Sequence, residues 1–339
     1  MTLTTTAPPA SPPAAPAPEQ TSVAHRLTSV QAIGPVLALV VASAYFWWKT
    51  DTFMTVSNWS TVANQVGYLG VLAIGQTLVI LTAGIDLSNG LSMAMGAMVT
   101  AKLAIQSGLA WPLAMLAGIA VCALIGAING ALIRLAKLPP FIVTLGMYGI
   151  AYMAIHVYAD NQTVAITDDK SPLVWLGRSV SIGDASLTYG TILAIALFIL
   201  AGFVLTQTAF GRHVYAFGDS PEAARLTGVR TGRLQISVYT VAGALYGIAA
   251  LISLARVGAA PPDAGQTENL ETITAVVIGG TSLFGGRGTV IGTMVGAMII
   301  GIFRNGLVQM GVRSEIQYGV TGTLVILAVA VDQISKRNR

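Results

Sequence analysis

Charged residues are the scarcest component of this sequence. They make up 9% of the 339 residues, whereas hydrophobic residues make up 54%; a soluble domain usually carries about 25% charged residues. A folded globule with so little charge could not present a well-solvated surface. We therefore exclude a soluble enzyme, a disordered protein and a nucleic-acid-binding protein, and lipid remains as the solvent for this surface.

Cysteine and histidine are nearly absent as well. The one cysteine, Cys122, excludes an intrachain disulfide, and only three histidines are scattered along the chain, so a zinc site is not expected. No Gly-x-x-x-x-Gly-Lys-Ser/Thr pattern occurs, which excludes a P-loop for ATP. Because no Ser–His pair or pair of intramembrane carboxylates occurs either, a membrane-embedded enzyme is disfavoured. We expect no catalytic residue, no metal and no cofactor in this chain.

The first 25 residues differ in composition from the rest. They are rich in Thr, Ala, Ser and Pro and contain neither an apolar run nor a basic region, so a signal peptide is not expected. Such a segment cannot bury enough surface to offset its ordering entropy. We predict a disordered cytoplasmic tail over residues 1–25, a transmembrane domain over 26–335 and a basic cytoplasmic end over 336–339.

Ten segments are candidates for membrane spans, which need about 20 mostly apolar residues. The seven clearest are Ile33–Trp48, Trp111–Leu135, Phe141–Tyr158, Tyr189–Ala209, Ile236–Leu254, Val290–Gln309 and Ile316–Val331. Three further segments are less purely apolar: Val62–Thr82, Ser88–Ile105 and Leu270–Leu283. The last of them is short enough to enter the membrane without crossing it as a simple helix. The sequence therefore predicts an all-α, polytopic membrane helix bundle of about ten transmembrane helices.

Basic residues give this bundle an orientation. If the N-terminus is cytoplasmic and ten spans alternate, eleven Lys and Arg residues lie inside and six lie outside. This bias agrees with the positive-inside rule. Nine acidic residues, Glu271 among them, fall outside. Both termini are then predicted to be cytoplasmic.

Polar side chains inside the spans are candidates for a translocation pathway. We select Gln76, Asp86, Asn129, Thr144 and Asn305. Hydrogen bonding between helices explains each amide and hydroxyl equally well, and Asp86 is also well placed to be the N-cap of the third helix. Arg304, deep in the ninth span, has either a functional role or a structural one, pairing with a partner or snorkelling to the interface.

Small residues and a weak internal repeat describe how the helices are arranged. The pairs Gly126/Gly130, Gly243/Gly247 and Gly292/Gly296 are four residues apart, a spacing that lets helix backbones approach closely. Segment 79–87 resembles segment 276–283, and Asn-Gly followed by Thr occurs in both halves of the chain. Two weakly related halves are a common plan of transporters.

The longest cytoplasmic loop, residues 210–235, contains four arginines. Asp219-Ser220-Pro221-Glu222 has the residues of a helix start, and Gly228 those of a helix stop. The pattern predicts a short amphipathic helix in this loop. Its shape alone is equally consistent with a structured connector and with a docking element.

This loop resembles the EAA loop of ABC importer permeases, through Glu222-Ala223-Ala224-x-x-x-Gly228. The wider sequence resembles the monosaccharide branch of that family, which includes ribose, xylose, arabinose, galactose and fructose permeases. The resemblance extends from about Ile74 to Gln333. It is carried by GQTLVILTAGIDLSNG (75–90), LPPFIVTLGM (138–147), GRHVYAFGDSPEAARLTGV (211–229), AVVIGGTSLFGGRGTVIGTMVGA (275–297) and LVILAVAVDQ (324–333). The phrases FGGRG and AVAVDQ are most similar to fructose and ribose permeases.

The resemblance implies a permease subunit in the bacterial inner membrane. It implies a homodimeric pathway, a separate ATP-binding subunit that carries ATP and Mg²⁺, and a periplasmic or lipid-anchored sugar-binding protein. The residues implied in ATPase coupling are Gly218, Asp219, Glu222, Ala223, Ala224, Arg225 and Gly228. Arg256 and Arg313 face outward in the predicted topology, and we predict that they help to dock the binding protein, since exposed arginine pairs with carboxylates bidentately.

The predicted function is therefore that of a monosaccharide importer permease working by alternating access, with ATP hydrolysed on a partner. The alternative is an ion-coupled secondary transporter of a small polar solute, which would usually show membrane-buried acids. Asp86 is the one candidate for such an acid in the sequence. The sequence does not name the sugar, since selectivity belongs mainly to the binding protein.

Overall fold

The computed structural model describes residues 30–166 and 171–337. The predicted disordered tail over 1–25 lies outside the described residues. The predicted basic end at 336–339 begins inside the last helix, and its final two residues also lie outside them.

A helix lies in each of the ten segments predicted as spans. In chain order these helices are α1 (Val30–Lys49), α2 (Val56–Leu81), α3 (Asn89–Ile105), α4 (Trp111–Leu135), α5 (Pro140–Ala159), α7 (Tyr189–Gln207), α10 (Thr231–Val257), α11 (Glu268–Ile278), α12 (Val290–Gln309) and α13 (Ser314–Arg337). Within the described residues, six of them, α2, α4, α5, α7, α10 and α12, are long and apolar enough to cross a membrane. The all-α membrane bundle is thereby confirmed, whereas ten crossings and two related halves remain predictions.

Three short helices and two small sheets complete the described fold. The helices are α6 (Pro172–Gly177), α8 (Ala209–Asp219) and α9 (Pro221–Leu226). Strands β2 (Ser179–Ile182) and β3 (Ala185–Thr188) form an antiparallel hairpin in which Ser179 faces Thr188. Strands β1 (Val164–Ala165) and β4 (Ala259–Ala260) pair antiparallel, with Val164 opposite Ala260.

Capping residues account for several helix starts. The hydroxyls of Thr55, Thr188 and Thr289 accept hydrogen bonds from the backbone amides three residues on, at 3.3, 3.2 and 3.0 Å. Such bonds satisfy amides that have no partner within the helix. In α4 and α5 a proline occupies the first turn instead, where its missing N–H costs nothing.

Helix α2 forms the centre of the bundle. In its most apolar stretch 89% of the residues are buried, against 28% in α5 and α7. Its glycines lie against neighbouring helices: Gly67 against Thr191 of α7, Gly75 against Tyr246 of α10. The outer helices α4, α5 and α7 expose leucines, isoleucines and phenylalanines, as expected for lipid-facing surfaces.

Close approach of α4 and α10 fixes the other side of the core. A Cβ on Gly130 would lie 2.9 Å from the Cα of Ile236, and one on Gly247 would lie 2.6 Å from the Cα of Ile119. The glycine pairs of α4, α10 and α12 all meet backbone in this way, which confirms their predicted packing role. Cys122 is fully buried on this side, and its thiol donates to the Ser92 carbonyl at 3.0 Å.

Helix α11 is too short to cross a bilayer. Its 11 residues extend about 16 Å, roughly half of the hydrocarbon thickness. This agrees with the expectation for segment 270–283. The polypeptide then turns at Gly279 and Gly280 into a stretch, residues 279–289, that we call the glycine turn.

Candidate functional site

The cytoplasmic loop contains two consecutive helices. Helix α8 precedes the one predicted from the sequence, and α9 begins where the prediction placed it. Ser220 is its N-cap, since its hydroxyl accepts from the Ala223 amide at 3.3 Å. Gly228 follows with φ +90°, a left-handed conformation that favours glycine. We call residues 218–229 the coupling segment.

The predicted coupling residues divide into an exposed set and a buried set. The exposed ones are Asp219, Glu222, Ala223, Arg225 and Gly228. Ala224 and Gly218 are buried, so they anchor the segment instead of forming its surface. Leu226 is 79% exposed at the end of α9. The segment thus presents an acidic, a basic and an apolar side chain on one short helix.

The glycine turn connects the coupling segment to the core. The Gly286 amide donates to the Leu81 carbonyl at the end of α2, at 2.9 Å. A Cβ on Gly286, whose φ is +70°, would lie 2.9 Å from the Asp219 amide nitrogen. Tyr215 of α8 donates its hydroxyl to the Gly288 carbonyl at 2.8 Å. The end of α2, the end of α8 and the glycine turn therefore meet backbone to backbone.

Three of the five predicted pathway residues, Asp86, Asn129 and Thr144, gather around the short connection before α3. Asp86 Oδ1 accepts from the Ser88 amide at 2.8 Å and from the Ser88 hydroxyl at 2.6 Å. Asn129 Nδ2 donates to the same hydroxyl oxygen at 3.0 Å, and Thr144 donates to the Ile85 carbonyl at 3.0 Å. The prediction that Asp86 is the N-cap of α3 is wrong, because Ser88 occupies that position and Asp86 stabilises the turn before it.

Gln76 belongs to an adjoining network through a residue that was not selected. Asn89 Nδ2 donates to Gln76 Oε1 at 3.0 Å and to Thr272 Oγ1 at 2.8 Å. All three side chains are fully buried, so one amide joins α2, α3 and α11. Gln76 Nε2, Asn89 Oδ1 and Asn129 Oδ1 are buried without a hydrogen-bond partner. Such groups are costly in an apolar interior.

Asn305 lies in a separate polar group. Its Oδ1 accepts from Gln309 Nε2 at 3.0 Å, and that nitrogen also donates to Asn58 Oδ1 at 2.6 Å. Thr52 donates to Gln309 Oε1 at 2.9 Å. These contacts join the end of α12 to the start of α2. The five predicted residues therefore do not form one site.

Arg304 has an acidic partner that sequence reasoning assigned to an outer loop. Its Nη1 lies 3.3 Å from Glu271 Oε2 and 3.3 Å from the Tyr68 hydroxyl. Glu271 is buried in α11, so its assignment to the outer acids is corrected. The signal was available in part, because Glu271 lies inside the segment 270–283 predicted as a span. Arg304 itself lies five residues before the end of α12, about 7 Å from it.

The two arginines predicted to dock a partner are both exposed. The guanidinium carbon of Arg256 lies 5.1 Å from the centre of the Tyr68 ring, within cation–π range. Arg256 therefore shares Tyr68 with Arg304. Arg313 lies in the connection between α12 and α13, where its carbonyl accepts from the amides of the first turn of α13.

Comparison with known proteins agrees with this architecture. Residues 58–329 match the model of the family described as branched-chain amino acid transport system / permease component. The chain is 42% identical to the fructose import permease protein of Rhizobium meliloti, over 91% of this chain and 87% of that protein. It is 35% identical to the ribose import permease protein of Escherichia coli K12 (88% and 92%). It is 32% identical to the xylose transport system permease protein of the same organism (91% and 93%).

Proposed function

Since the chain belongs to the branched-chain amino acid transport system / permease component family, in its monosaccharide permease branch, we propose that it forms the transmembrane pathway of an ATP-driven sugar importer. The observation that carries the proposal is the nearly full-length similarity to permeases named for three monosaccharides. We propose that the substrate is a monosaccharide and that ATP is hydrolysed on a separate subunit.

The coupling segment is proposed as the contact with that ATPase. An exposed short helix with Glu222, Arg225 and Leu226 on its surface offers charge and apolar area together. The glycine turn behind it supports this role, because it links the segment to α2 through backbone contacts. Movement of the ATPase would then reach the core of the bundle without an intervening flexible side chain.

We propose that two copies of the chain form the pathway and that both termini are cytoplasmic in a bacterial inner membrane. A binding protein would deliver the sugar at the outer face, where exposed Arg313 and Arg256 are the proposed contacts. Arg313 gives the cleaner test, because Arg256 also stacks on Tyr68. Undiminished uptake after charge reversal at Arg313 would contradict the docking role.

Glu222→Lys tests the coupling role. We expect ATP-dependent sugar uptake to fall at least tenfold in vesicles reconstituted with the ATPase and binding protein, because a basic group replaces the acid at the start of α9. The amount of permease in the membrane should not change. Asp184→Lys is the matched control, since Asp184 is exposed in the β2–β3 turn, away from this loop. Uptake by the Glu222 variant equal to that of the control would argue against coupling through α9.

The same vesicles separate the importer from an ion-coupled transporter. The buried carboxylates Asp86 and Glu271 are the groups that such a transporter would use. Uptake by an importer requires ATP and continues after the ion gradients are collapsed. Uptake that needs a gradient and no ATP would favour the ion-coupled alternative instead.

A further inference from the structure

Two cavities lie on either side of one arginine. The first, of about 60 Å³, is lined by Gln65, Tyr68 and Arg256 among others. The second, of about 70 Å³, is lined by Glu271, Gln317 and Tyr318 among others. Both are lined by Ile300 and Arg304, so these two side chains form the wall between them. Hydrogen-bonding side chains make up four of the eight residues that line the first cavity and six of the eleven that line the second. Such a polar share is high for a bundle this apolar.

Arg304 is held in place by contacts that can be exchanged. Its hydrogen bonds to Glu271 and Tyr68 are all 3.3–3.4 Å long, at the weak end of the range. The Arg304 side chain is 47% exposed, whereas Glu271 is 8% exposed. Because Glu271 is already enclosed, full enclosure of Arg304 as well would add the desolvation cost of a second charge. The exposed half of the Arg304 side chain leaves part of the guanidinium accessible to another acceptor.

The first cavity contains an acceptor that lacks a donor. Gln65 Oε1 is buried and has no hydrogen-bond partner. Its neighbour Asn64 differs, because its amide bonds Ser186, Thr188 and Thr191 within the protein. An unsatisfied buried oxygen beside two guanidinium groups and a phenol ring suits a ligand with several hydroxyls. Sugar hydroxyls can accept from arginine and donate to an amide oxygen.

We propose that Gln65, Tyr68, Glu271 and Arg304 form a sugar-contact site of the permease, which the Arg304–Glu271 pair closes in this structure. The proposal rests on the proposed function. Ligand pockets are usually about 300 Å³ or larger, so neither cavity admits a monosaccharide alone. Displacement of Arg304 joins the two cavities, whose volumes together reach about 130 Å³, so the surrounding helices must also move apart before a monosaccharide fits. Hydroxyls of the passing sugar then replace Glu271 and Tyr68 as the hydrogen-bond partners of Arg304.

Gln65→Leu tests the contact in vesicles that contain permease, ATPase and binding protein. The probes are fructose, ribose or xylose, whichever is transported, and its singly deoxygenated analogues at saturating binding-protein loading. Loss of one neutral hydrogen bond should slow uptake of the parent sugar on the order of fivefold. The analogue that lacks the hydroxyl facing Gln65 should be slowed less than twofold. Asn64→Leu, the matched control, should slow every sugar by one common factor.

Arg304 is tested by removing both charges together, since a single substitution would leave the buried Glu271 carboxylate unpaired. The amount of the Arg304→Met/Glu271→Gln variant in the membrane should equal that of the wild type, which shows that the permease folds. Its sugar uptake should fall at least tenfold, with altered preference among the analogues. A uniform effect of Gln65→Leu on all sugars, or unchanged analogue preference in the double variant, would overturn the site. No ATP-driven uptake by the wild-type complex would overturn the proposed function, and the site with it.

Discussion

At the scale of single residues, the glycines of α4 carry the clearest steric information. A Cβ on Gly126 would lie 2.9 Å from the carbonyl carbon of Tyr239 and closer still to its oxygen. That neighbour is helix backbone, so it cannot rotate away as a side chain could. A methyl group there must separate α4 from α10. Gly146 of α5 is the opposite case, because nothing lies within 4 Å of its Cβ position.

Gly126→Ala should therefore destabilise the protein, whereas Gly146→Ala should not. We expect the first to lower the free energy of unfolding by about 1–3 kcal/mol, as for an overpacked core. The second should be neutral or raise it by up to about 1 kcal/mol, the helix-propensity gain of alanine. Chemical unfolding in detergent micelles measures both. Equal effects of the two substitutions would mean that the α4–α10 contact is not as close as described.

The polar residues could be predicted only in part from the sequence. Amides inside apolar runs are conspicuous, and Gln76, Asn129 and Asn305 are indeed buried. Their partners are not visible in the same way. Glu271 and Arg304 are 33 positions apart and meet only because α11 and α12 pack together. Asn89 lies next to a predicted helix start, where a polar residue is expected to cap the helix. Its contact with Thr272 could therefore not be predicted from the sequence.

At the scale of elements, some predicted spans have the same bounds as the observed helices. The predicted spans Trp111–Leu135 and Val290–Gln309 coincide with α4 and α12. Helix α10 begins five residues before its predicted start, at Thr231, because its first turns contain arginine and other polar residues outside lipid. The sequence did not predict helix α8, because only one face of this helix is apolar. Such a helix packs on protein and has no long apolar run in its sequence.

The glycine turn is the element whose stiffness matters most for coupling. Gly286→Ala puts a Cβ at φ +70° and 2.9 Å from the Asp219 amide nitrogen. We expect ATP hydrolysis to continue while sugar uptake falls at least fivefold, because the turn is pushed away from the coupling segment. Both rates are measured in the same reconstituted vesicles.

Gly183→Ala controls for backbone strain alone. Gly183 has φ +61° in the β2–β3 turn, and nothing lies within 4 Å of its Cβ position. The Gly183→Ala substitution should leave the ratio of sugar uptake to ATP hydrolysis unchanged. A normal ratio in the Gly286 variant, or an equal loss in both variants, would contradict transmission through the glycine turn.

At the scale of the whole molecule, charge and apolar surface together predict an orientation. The coupling segment and the glycine turn carry Arg225 and Arg287 near the same end of the bundle. The hairpin β2–β3 belongs to the opposite end in the predicted topology. A folding reporter fused after Arg339 should be active when it folds only in the cytoplasm and silent when it folds only in the periplasm. The reverse pattern would invert the orientation.

Because Cys122 is buried, the wild-type protein is an unreactive control in thiol-labelling experiments. With no other cysteine in the chain and this one fully enclosed by α3, α4 and α10, maleimides find no target on the folded wild-type protein. Any cysteine introduced on the surface is then the single reactive thiol, without prior removal of a native one. Spin labels or fluorophores placed on Leu226 and Ile182, exposed by 79% and 78%, would report movement at the two ends separately.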